Sequence, residues 1–169
     1  MHLQVDGLRR HTECSAYTLP VPWLGLLETL HVLAAITAVG ANLTYAAWSI
    51  RGDSQREHLG FALRGIKFLD DRVANPAYGV LLITGLLQAI FYYSITDRFV
   101  LIGLGFFLLL AIGGGGFYTP ALKRQIALLD AKSADDPEYK AASSRANGVG
   151  MFLGVIAIAA VFVMVYQPI

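Results

Sequence analysis

Four stretches of the chain stay apolar for the length of a membrane-crossing helix: Val21–Ile50, Pro76–Ile95, Phe99–Tyr118 and Gly148–Tyr166. About 20 residues of α-helix cover the ~30 Å of hydrocarbon in a bilayer. Barrel strands would instead alternate apolar and polar positions over about ten residues, and these stretches are apolar on every side. The pattern predicts an all-α integral membrane protein, one domain over residues 1–169, folded as a four-helix bundle with up-down topology.

The segments between the spans carry a second pattern. In "SQREHLGFALRGIKFLDDRV", Leu59, Leu63, Ile66 and Val73 fall near one face at helical spacing with charges opposite, which predicts an amphipathic helix over about 54–73 at the membrane interface. It is expected to stop before Asn75-Pro76, where Asn can cap and Pro can enter the first turn of the second span. Thr119-Pro120 repeats that grammar and opens a second amphipathic helix over about 120–132 with Leu122, Ile126 and Leu129. Asp136-Pro137 then starts a third helix that runs toward the fourth span.

Charge sets the orientation. Arg51, Arg56, Arg64, Lys67 and Arg72 lie between spans one and two, and Lys123, Arg124, Lys132, Lys140 and Arg145 between spans three and four. Only Arg98 joins spans two and three, Arg9 and Arg10 sit in the N-terminal tail, and the C-terminal "QPI" has no cation. The positive-inside rule therefore predicts both basic loops in the cytoplasm and both termini outside, as in a bacterial-type inner membrane. Trp23, Tyr92, Tyr93, Phe99 and Tyr166 then mark the outer headgroup level, and Trp48, Tyr78 and Tyr118 the inner one.

Composition narrows the function classes. With 56% hydrophobic and 15% charged residues and a mean hydropathy of +0.55, the chain is too apolar for a soluble domain of this size. The formal charge of +1, with no basic stripe interleaved with aromatics, gives no support to nucleic-acid binding. Cys14 is the single cysteine, so an intramolecular disulfide and a cysteine-based metal cluster are excluded. The first span, with Glu28 and His31 inside it, is too long for a signal peptide and is expected to be retained.

Polar residues within the spans are the candidates for chemistry, because lipid cannot satisfy them. On a wheel of 100° per residue, Glu28, His31, Ala35, Ala38 and Asn42 share about one quadrant, with Tyr45 just beyond. That stripe is expected to face other helices, with Glu28 as the local partner of His31. His31 has three readings: a packing residue, a proton-relay site with Glu28, or a ligand, either axial to haem b or to a metal with Glu28 at or next to the ion. His2, His11 and His58 lie outside the spans, so a second haem ligand would have to be Met164 near the outer end of span four. One Glu-x-x-His pair is too few for a di-iron bundle, and no metal site is expected. Thr84 and Gln88 in span two fit interhelical hydrogen bonding. Gly113, Gly114, Gly115 and Gly116 in span three, with Gly150 and Gly154 in span four, predict close packing of these two helices. The alternative is room for a flat cofactor or a lipid tail; Gly114→Leu is expected to impair assembly on either reading, and only the cofactor reading predicts loss of a visible absorption band.

The run "LHVLAAITAVGANL", with His31 followed nine residues later by Gly40, resembles the first span of a family of small predicted integral membrane proteins of unknown function. That family looks distantly related to HemJ-type protoporphyrinogen oxidases and CopD-type copper-resistance membrane domains. The resemblance implies a haem-binding role for His31. The chain departs from the HemJ-like pattern at Ala38, where an aromatic residue is common, and in having no lysine within a later span.

No nucleophile with an adjacent base, phosphate-binding loop or multi-ligand metal cluster is visible. The sequence therefore points first to a non-catalytic structural or accessory subunit of a membrane assembly, in contact with lipid and with other membrane subunits or copies of itself. A haem-binding redox protein using His31, and a small transporter or proton-coupled carrier using Glu28, His31, Asn42 and Gln88, are the alternatives.

Overall fold

The computed structural model describes residues 21–166; the N-terminal tail with His2, Arg9, Arg10, His11 and Cys14 lies outside the described residues. Six α-helices follow one another: α1 (Val21–Ser54), α2 (Leu59–Leu69), α3 (Asn75–Phe91), α4 (Arg98–Ile112), α5 (Thr119–Ala131) and α6 (Pro137–Tyr166), with no strand among the described residues. They form four continuous rods long and apolar enough to span a membrane, Pro22–Ser54, Arg56–Phe91, Arg98–Ala131 and Pro137–Tyr166. Rods of 30 to 36 residues are about 45–54 Å long at about 1.5 Å per residue, well beyond the hydrocarbon thickness.

The expected break before Asn75-Pro76 does not occur. Asn75 is helical (φ −60°, ψ −46°), and the chain passes from α2 to α3 through a π-helical segment, Asp70–Ala74. A second π-helical segment, Gly113–Tyr118, joins α4 to α5. Each ends two residues before a proline, Pro76 or Pro120. A proline has no N–H for the carbonyl four residues back and its ring crowds that carbonyl; a widened turn just ahead of it relieves both problems without ending the rod. The amphipathic segments are thus helical extensions of spans two and three.

Those extensions hold the best-packed part of the molecule. Leu59, Leu63 and Ile66 of α2 and Leu122 of α5 are the largest fully buried side chains. The apolar face read from the sequence is therefore covered by protein, where water removal yields about 1.5–3 kcal/mol for each such side chain. Gly52 near the end of α1 lets α2 approach, since a Cβ there would lie 3.1 Å from both Ala62 Cβ and Leu59 Cδ1. Gln125, 2% exposed, donates through Nε2 to Tyr139 Oη (3.2 Å) and Ser143 Oγ (3.1 Å), fastening α5 to α6. The α5–α6 connection is capped by Asp136, whose Oδ1 accepts the Glu138 N–H at 2.8 Å, and Pro137 occupies the first turn where no N–H is required. We call this the basic end and the opposite one the terminal end.

Toward the terminal end the packing changes character. The face α1 buries consists of Ala34, Ala38, Ala41 and Tyr45, and its main neighbour is α3; α6 packs on both α1 and α4, while α3 and α4 meet only sparingly. The glycines do not form a continuous contact face. A leucine methyl of Leu153 occupies the space a Cβ on Gly113 would need, and a Cβ on Gly150 would lie 3.0 Å from the Tyr118 ring. At Gly114, Gly115, Gly116 and Gly154 a Cβ would meet nothing within 4 Å, so the steric ground for expecting damage from Gly114→Leu is removed.

Candidate functional site

The polar side chains of the spans gather between α1 and α3. His31 Nδ1 lies 3.0 Å from Thr84 Oγ1, and the imidazole edge rests on Gly85, where an added Cβ would fall 2.9 Å from Cε1. The Thr84 hydroxyl donates its single proton to the Val80 carbonyl at 2.7 Å. The Leu81 carbonyl lies 3.3 Å from the same hydroxyl, so which of His31 and Thr84 donates in their contact follows the imidazole tautomer. One turn further along α3, Gln88 Nε2 donates to the carbonyls of Leu27 (3.4 Å) and Thr84 (3.3 Å). Toward the basic end, Asn42 Nδ2 donates to Tyr78 Oη at 2.9 Å. These bonds sew α1 to α3 along most of the apolar segment, each worth about 0.6–1.7 kcal/mol in a membrane.

Glu28 does not join them. It is exposed on α1, so the expected inward Glu28–His31 pair gives way to His31–Thr84. The buried face follows the small residues Ala34, Ala38 and Ala41, and Glu28 falls about 100° from its centre at 3.6 residues per turn. Met164 packs on α4, its terminal methyl filling the place of a side chain at Gly103, whereas His31 packs on α3. Among the described residues no group of three or more His, Cys, Asp or Glu side chains is placed to hold a metal ion.

A second polar cluster, not anticipated from sequence, sits where the apolar half meets the basic end. Asp70, 7% exposed, opens the first π-helical segment, and its Oδ2 accepts from Thr119 Oγ1 at 2.9 Å, just beyond the second. The two widened turns are thus tied to each other at one level. The Tyr45 and Tyr118 rings stack in parallel with centroids 6.0 Å apart and 7° between planes. The Tyr45 hydroxyl is buried without a hydrogen-bond partner. Asp70 escaped notice because "FLDDRV" reads as the charged side of an amphipathic helix; the two prolines, Pro76 and Pro120, each two residues past a widened turn, were the available clue.

Ion pairs decorate the basic end: Arg64–Asp130 at 2.6 Å, Arg56–Asp135 at 3.5 Å, Lys140–Asp135 at 3.7 Å and Lys67–Asp71. Lys132 pairs with Glu138 at 3.0 Å and Asp136 at 3.7 Å, and the hydrogen bond its ammonium donates to the Glu138 carboxylate holds it above the usual lysine range.

Comparison with known families gives one result. A model described as "Predicted integral membrane protein (DUF2269)" matches residues 25–168, taking in all four rods almost completely. No curated protein and no solved structure matches the chain.

Proposed function

Because the chain belongs to the DUF2269 family of predicted integral membrane proteins, we propose that it acts as a small, non-catalytic structural or accessory subunit of a membrane assembly. It would sit in a bacterial-type cytoplasmic membrane with its basic end inside, as the lysine and arginine distribution favours. The observation that carries this reading is how the intramembrane polar groups are used. His31, Asn42 and Gln88 are each engaged in bonds between α1 and α3, which commits them to holding helices together. Glu28, in contrast, faces outward from an apolar helix, and an outward carboxylate at that depth calls for a polar partner on another chain or at the headgroups.

A photoreactive residue placed at Val32, one turn from Glu28 on the exposed side of α1, tests this in native membranes. The expected product is a discrete adduct with another membrane protein or a second copy, lost in Glu28→Leu. Only uncross-linked monomer in native membranes, together with a lone monomer on purification in gentle detergent, would overturn the proposal.

One observation favours a second reading, that His31 binds haem b: its ring is held at Nδ1 by the Thr84 hydroxyl, and a ligating histidine is commonly oriented by a hydrogen bond at its other ring nitrogen. Haem would supply one-electron redox chemistry there. His31 fits as a single axial ligand, and Met164, engaged with Gly103, is not poised as the other. Protein purified after expression with ample haem and showing no Soret band excludes this reading.

A further inference from the structure

Beside the buried Gln125–Ser143 contact, α5 and α6 border a groove of about 370 Å³ whose lining includes Gly116, Phe117, Arg124, Glu138, Ala141 and Arg145. We propose that this groove binds the phosphodiester headgroup of an anionic glycerophospholipid between Arg124 and Arg145, with an acyl chain running past Phe117.

The register of the two helices brings the cations together. The Gln125–Ser143 hydrogen bond (3.1 Å) fixes which residues of these antiparallel helices face each other, and Arg124 and Arg145 lie within two residues of it, one on each wall. Neither makes an ion pair among the described residues, unlike Arg56, Arg64, Lys67, Lys132 and Lys140; Arg51, Arg72, Arg98 and Lys123 share that lack but do not line this groove. Two guanidinium groups lining one concavity repel each other unless an anion lies between them. The one carboxylate in the groove is no substitute, because Glu138 is held by Lys132 at 3.0 Å. Arginine pairs favour phosphate through its forked donors, and basic pockets between membrane helices are established headgroup sites in general.

The groove also has a polarity gradient. Its arginines stand on α5 and on the charged early part of α6, while Gly116 and Phe117 belong to the apolar segment of span three, with Phe117 56% exposed and open space beside Gly116. A site for a free anion gains nothing from that apolar extension, and a phospholipid needs it.

The test uses the full chain in mild detergent, with dioleoyl phosphatidylglycerol, dioleoyl phosphatidylcholine and inorganic phosphate as separate probes, read by native mass spectrometry and thermal unfolding. Wild type is expected to retain phosphatidylglycerol over phosphatidylcholine and to melt at higher temperature in its presence. Arg124→Gln/Arg145→Gln should weaken phosphatidylglycerol about thirtyfold, from about 1 kcal/mol per surface arginine, and Arg72→Gln should leave it unchanged. Ala141→Trp, which fills the groove at an exposed position and keeps both arginines, should also abolish retention; this keeps the proposal testable if the double variant does not fold. Equal loss in Arg72→Gln, or full retention in Ala141→Trp, overturns the site. Stabilisation by inorganic phosphate that matches the lipid's and displaces it overturns the lipid assignment.

Discussion

At the basic end, Leu59, Leu63, Ile66 and Leu122 are removed from solvent almost completely; in the apolar half, α1 turns Ala34, Ala38 and Ala41 inward and leaves Leu33, Ile36 and Leu43 outside. The same rods run through both regions, so the contrast comes from the solvent. Where water surrounds the helices, burying large aliphatic groups releases free energy, and these four leucine and isoleucine side chains go inside, although Phe61 and Phe68 on α2 stay exposed. Where lipid surrounds them, a leucine gains little by leaving it; small residues that let backbones approach and polar groups that need partners take the inside positions. His31–Thr84 and Asn42–Tyr78 do for α1 and α3 what the leucines do for α2 and α5.

The sharpest way to break this contrast is to truncate one leucine in each region. Leu63→Ala at the basic end should cost about 2–5 kcal/mol, whereas Leu33→Ala, 54% exposed on the apolar half of α1, should leave stability nearly unchanged; reversible unfolding in detergent, followed by helicity, checks both. Next in size is the glycine pair. Gly113→Leu must displace Leu153 and should cost about 1–3 kcal/mol through overpacking, while Gly114→Leu, pointing into open space, should assemble normally in the same assay. A smaller effect measures the polar seam directly: a double-mutant cycle of His31→Phe and Thr84→Val should return a coupling of about 0.6–1.7 kcal/mol. The smallest concerns the exposed Arg64–Asp130 pair; Asp130→Asn should cost at most about 1 kcal/mol, and the loss should shrink as salt is raised.

The spans were legible because an apolar run of 18 residues or more has few alternatives in a short chain. The amphipathic face of α2 was legible for the same kind of reason, since Leu59, Leu63 and Ile66 recur at helical spacing. What covers that face was not, because interfacial and buried amphipathic helices share one pattern and differ only in whether another helix, here α5 with Leu122, lies over it. Pro76 and Pro120 misled in a definite way: proline usually marks a boundary, and only the geometry of Asp70–Ala74 and Gly113–Tyr118 shows it absorbed into a continuous rod. In the candidate site, His31 and Gln88 stood out as polar groups in an apolar run, yet the inward direction of α1 was set by its alanines, and Glu28 was carried outward with that rotation.

The two widened turns also govern how the chain tolerates changes of length. A π-helical turn holds one residue more than the α-helix around it, so one residue removed from Gly113–Tyr118 should restore plain α-helix and leave Leu122 and Gln125 inside, whereas one removed from the α-helical stretch just before it would turn everything downstream by about 100° and swing Arg124 off its groove. That second defect could be repaired by reinserting one residue in the same rod before Thr119, whatever its side chain, and not by any substitution within α5. Length along this rod is therefore constrained as residue identity is in the buried face, and a single-deletion scan would read out that phase as folded protein for deletions within Gly113–Tyr118 and unfolded protein for deletions in the α-helix before it.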